Sequence, residues 1–135
     1  MGRMVEAEVG QVLIDFNQDR HQIWIGERHG RRQITLLIGL TEAMALRRFI
    51  DGVKPDRPMT HELLDATIRS LGGRVSRVEI TGLHGGFFHA QLVLQDAERK
   101  EQVLEARPSD SIALALRAKA PLFVDEEIFN TAGGP

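Results

Sequence analysis

The 135-residue chain contains no cysteine. That excludes disulfides, thiolate zinc sites and cysteine nucleophiles at once, and it fits a reducing compartment. No apolar run approaches the roughly 18 residues that a membrane-crossing helix needs. The opening Met4-Val5-Glu6-Ala7-Glu8-Val9 is acidic and alternating, unlike a signal peptide, so a soluble cytoplasmic protein is expected. Excess positive charge is missing too. With 17 Lys and Arg against 19 Asp and Glu, the net charge of -2 cannot hold a duplex by counterion release over many phosphates, and any nucleic-acid contact must be local. The glycine-rich phosphate loop, the nucleophile elbow and the serine triad signature are also lacking.

What is present has globular proportions. Apolar residues make up 42% and charged residues 27%, which at this length supports one core and one domain, expected over residues 1–131 with a flexible tail at 132–135. Lysine is scarce, at 3 of 17 cations, and arginine supplies the planar fork that grips a phosphate at two points. Arg28, Arg31 and Arg32 cluster, as do Arg47 and Arg48. A solvated turn and helix face is the simpler reading of these clusters, and a phosphate track is the alternative.

Period-two alternation in Val5 to Val9, Ile23 to Ile25 and Ile34 to Leu36 predicts three antiparallel strands. Helical periodicity then predicts one helix from Thr41, as N-cap, to Asp51 and a second from Thr60 to Leu71, ended by Gly72-Gly73. Strands follow at Val75 to Ile80, Phe87 to Leu94 and Val103 to Ala106. A third helix, Ser109 to Lys119, is apolar on almost every side and so is expected to pack on more than one face. Leu122 to Val124 reads as a short strand and Glu126 to Asn130 as a terminal turn or helix. Strands and helices segregate, which indicates an α+β fold with a mostly antiparallel or mixed sheet and three main helices. The segment Ile38 to Leu46 echoes Ala106 to Leu114, hinting at a duplicated strand-to-helix unit in which a hydroxyl residue caps each helix and a carboxylate follows.

Those carboxylates are Glu42 and Asp110. A helical wheel puts Glu42 on the side of Leu46, Phe49 and Ile50, and Asp110 stands near Arg107. Two readings compete. Either both acids face one cleft and bind a divalent metal that activates water, or they complement two helix dipoles, each at about 0.3 to 1 kcal/mol, and the second is the simpler. His61-Glu62-Leu63-Leu64-Asp65 lacks the second histidine of a metalloprotease helix. Leu63, Leu64, Ile68 and Leu71 are expected inside and Asp65 in solvent, with Glu62 on the helix dipole and His61 at the edge of a cleft. His89, near His84 in sequence, shares a strand face with Phe87 and Gln91 and is expected as a surface or hydrogen-bonded residue before a ligand.

Four segments in order, Ile38-Gly39-Leu40-Thr41-Glu42-Ala43, Arg57-Pro58-Met59-Thr60-His61-Glu62-Leu63-Leu64, Gly86-Phe87-Phe88-His89-Ala90 and Ala106 to Arg117, resemble the bifunctional nuclease domain of bacteria and plants. That family is named for action on DNA and RNA. The chain departs from its usual pattern at Leu37, His89, Glu62 and Ser111, where proline, tyrosine, aspartate and alanine are frequent. The resemblance implies an α+β fold, self-association and a nuclease activity. On that reading Glu42 and Asp110 hold Mg2+ or Mn2+, His61 acts as base or ligand, and Arg57 and Arg107 stabilise developing charge. The alternative is a noncatalytic module that binds a protein or an anionic ligand with the same residues.

Overall fold

A computed structural model describes residues 2–134. The elements in chain order are β1 (Met4–Asp15), β2 (Arg20–Glu27), β3 (Gln33–Ile38), α1 (Leu40–Asp51), α2 (Thr60–Ser70), β4 (Arg74–His84), β5 (Phe87–Gln95), β6 (Glu101–Ala106), α3 (Pro108–Ala118), β7 (Leu122–Asp125) and α4 (Glu126–Ala132). The fold is α+β, with four helices among the described residues and one mixed sheet of seven strands in the order β3-β2-β1-β7-β4-β5-β6. Every pairing is antiparallel except that of β4 with β7. No described helix is long and apolar enough to cross a membrane.

Two three-strand meanders compose the sheet, and β7 joins them. Each meander ends at a sheet edge, β3 or β6, and leads directly into a helix, α1 or α3. Register shifts at Val9/Gln11 in β1 and at Val75/Arg77 and Ile80/Gly82 in β4 bend the two long strands. The alternating residues Ile23, Ile25, Ile34, Leu36, Val78, Ile80 and Val124 are buried and meet Leu46, Ile112 and Leu114 from the helices. Helix α3 buries Ser109, Ser111 and Ile112 to Ala115 and packs against α1, α2, β4 and β5, as its all-round apolar sequence requires. The last described residue, Gly134, exchanges two backbone hydrogen bonds with Gln33.

Two details depart from the sequence reading. Thr41 and Ser109 do not cap their helices. The caps are Gly39 and Arg107, with Leu40 and Pro108 at the first helical position, so Glu42 and Asp110 each stand at the third. Helix α2 is turned the other way. Asp65 is 2% exposed and pairs through Oδ2 with Arg69 at 3.1 Å, whereas Leu63, Leu64 and Leu71 lie open to solvent. Only Ile68 of the expected apolar face packs against the core. His61 explains the rotation. It faces α3, and a residue four positions on shares its side of the helix, so turning His61 inward carries Asp65 with it.

This phase of α2 has a measurable consequence. Ile112→Ala, in the core, is expected to cost about 2–5 kcal/mol in urea unfolding. Leu63→Ser is expected to stay within about 0.5 kcal/mol of wild type. Comparable losses in the two variants would mean that the leucines of α2 face inward after all.

Candidate functional site

The two edge strands deliver the starts of α1 and α3 to one place. At the first junction, a Cβ on Gly39 would collide with the carboxylate of Glu42, so the glycine leaves room for that side chain to fold back over the helix start. At the equivalent position of the second junction stands Arg107. Its Nε donates to Asp110 Oδ2 at 2.9 Å and its Nη1 to Glu42 Oε1 at 3.4 Å. One guanidinium thus joins the acids of both helices. From α2, His61 Nε2 lies 3.2 Å from Asp110 Oδ1. An ionised carboxylate only accepts, so the ring proton sits on Nε2, and Nδ1 carries the lone pair whenever the ring is neutral. Phe49 of α1 meets the imidazole edge-on, with centroids 6.3 Å apart.

These contacts set Glu42 and Asp110 apart from an acid that only finishes its helix end. Glu62, at the third position of α2, accepts from the Met59 backbone amide at 2.9 Å and so finishes its own helix end. Glu42 and Asp110 occupy the same position in their helices, but their oxygens turn to Arg107 and His61. Burial works against the charge on Asp110. The hydrogen bonds from Arg107 and His61 outweigh it, and the carboxyl titrates below its ordinary value. The guanidinium is correspondingly raised, first by its bond to Asp110.

Glu42, His61, Arg107 and Asp110 line a hollow of about 280 Å3, rimmed by Met44, Met59 and Arg48. Arg57 lies exposed in the loop between α1 and α2 and does not line it. Arg48, read from the sequence only as part of a surface pair, does. The spacing Thr41, Ala45, Arg48 was the available signal, since residues at i, i+4 and i+7 share a helix face. Of the other clustered arginines, Arg28 pairs with Glu6, Arg32 with Glu27 and Glu126, and Arg47 with Asp51. As for a metal, the cation shared by Glu42 and Asp110 is Arg107 itself, and both Asp110 oxygens are already engaged. Among the described residues, no three His, Asp or Glu side chains stand so as to hold one ion. In this arrangement the positive charge that faces both acids is that of arginine.

A profile described as the bifunctional nuclease domain matches residues 23–135. Two proteins of Mycobacterium tuberculosis, one from each of two strains and both described only as uncharacterised, are 36% identical to the chain over 130 residues, covering 96% of it and 77% of each relative.

The charge chain sets a pH dependence. The folded pKa of Asp110 lies below the unfolded value of about 3.9, so its interactions stabilise the fold above that value, and the contribution disappears as pH falls through the lowered pKa. A carboxyl-carbon NMR titration is expected to place the Asp110 midpoint below about 3.9 and to move it upward in Arg107→Ala. A midpoint indifferent to that substitution would overturn the pairing.

Proposed function

The chain belongs to the bifunctional nuclease domain family, and from that membership we propose that it hydrolyses phosphodiester bonds of DNA or RNA in the hollow between α1, α2 and α3. The observation that carries the reading is the continuous chain from Glu42 through Arg107 and Asp110 to His61, which brings a base, its orienting carboxylate and a phosphate-binding fork together from three helices. Asp110 fixes the imidazole through Nε2 and steadies the imidazolium that forms, so His61 Nδ1 is the atom that takes the proton of an attacking water. Arg107 exchanges its two carboxylates for the non-bridging oxygens of the phosphate, and Arg48 adds a second fork. As the water oxygen bonds to phosphorus, the bond to the leaving sugar oxygen breaks and that oxygen takes a proton from solvent. Arg57, farther out on its loop, is suited to a neighbouring phosphate. Glu42 holds Arg107 in place before substrate arrives.

The test is cleavage of labelled RNA and DNA oligonucleotides by wild type, His61→Ala, Asp110→Asn and Arg107→Ala, purified in parallel and assayed in chelator, Mg2+ and Mn2+. Wild type is expected to cut, and His61→Ala to lose about 10^2- to 10^4-fold in kcat/KM with an unchanged circular dichroism spectrum. Equal cutting by wild type and His61→Ala would trace the activity to a contaminant or to another site. Binding without cutting under every condition would favour the noncatalytic module.

A further inference from the structure

We propose that the groove beside this hollow seats an unpaired nucleobase next to the bound phosphate, which makes single-stranded nucleic acid the preferred ligand; the inference rests on the nuclease reading above. The sheet curls until its opposite edges border one groove of about 960 Å3, with β3 contributing Leu37 and the β5-β6 side contributing Phe87, His89 and Glu105. Glu42 and Arg107 line this groove and the smaller hollow alike, so a single carboxylate–guanidinium pair is the partition between them. A phosphate held by Arg107 therefore has the mouth of the groove beside it.

The lining suits a base better than a backbone. Phe87 is 74% exposed and Leu37 65%, large apolar surfaces left without cover. Phe87 follows the two-residue turn Gly85-Gly86, whose φ angles of 59° and 82° favour glycine and make a narrow, tight hairpin tip. That places the ring at the groove wall, where an aromatic ring can serve as a stacking platform for any base. Glu42 and Glu105 against Arg107 leave the walls with excess negative charge, which repels a run of phosphates but accepts the amino edge of an uncharged base. His89, 3.9 Å from Glu105 through Nδ1, adds a second polar group on the same wall. In a duplex the base is locked in its stack and reaches such a groove only by flipping out, which favours strands that are already single.

Fluorescence anisotropy with a labelled single-stranded DNA oligonucleotide, its duplex and an abasic version of the single strand tests this. Wild type is expected to prefer the single strand. Phe87→Ala is expected to weaken that binding about 5- to 150-fold, Phe87→Trp to restore it, and the abasic strand to bind wild type and Phe87→Ala alike. Unchanged affinity of Phe87→Ala, or a duplex bound as tightly as the single strand, overturns the proposal, as does a groove that an extended peptide fills without displacing the oligonucleotide. The two readings fail separately. Cleavage that persists while binding ignores Phe87 removes the groove alone, and Phe87-dependent binding by a protein that cuts nothing removes the nuclease reading alone.

Discussion

The site is organised by one cation between two acids. Arg107 is 67% exposed, and ion pairs at that exposure contribute little to stability, about 0 to 1 kcal/mol, so its significance is positional. Glu42 follows one edge strand of the sheet and Asp110 follows the other. Without a positive charge between them, two carboxylates delivered to one place repel. With it, the starts of α1 and α3 are held together, Asp110 stays ionised, and the imidazole of His61 has a fixed acceptor.

The fold allows this because the two meanders end alike. β3 passes into α1 through the single residue Gly39, and β6 into α3 through the single residue Arg107, with an acid three positions later in both. The junctions differ in the capping residue. Glycine clears space for the acid at one, and arginine supplies the countercharge at the other. Replacing either with the other would leave Glu42 crowded or both acids unbalanced. The difference between two otherwise similar strand-to-helix turns is thus what makes one composite site out of them.

Much of this was legible in the sequence. The nine-residue echo marked both junctions, the wheel aimed Glu42 at packed surface, and the order of the motifs pointed to the family. The helix starts were misplaced by two residues because Thr41 and Ser109 look like caps, although Pro108, favoured at the first helical position, signalled the true start of α3. Asp65 was misplaced for a different reason. The wheel counts apolar residues on one helix and cannot see that a polar contact on another, here His61 to Asp110, fixes the helix in the opposite phase. The groove left no local trace at all, since Leu37 and Phe87 approach only when the sheet curls and brings its edges together.

An arginine in this position behaves differently from a metal. Its charge persists across the working range of pH, and its planar fork matches a carboxylate and a phosphate equally well. Here the two acids engage that fork. On the proposed reading, a phosphodiester would displace them with its own two-point contact, reinforced by Arg48 on one side and by burial of a base on the other. On that reading the acids would act as a selectivity filter, because a ligand lacking either the doubly coordinating phosphate or the adjacent planar base has less to exchange for the contacts it breaks. For the proposed ligand, specificity of this kind would suit a net charge of -2, which gives little general electrostatic attraction for nucleic acid.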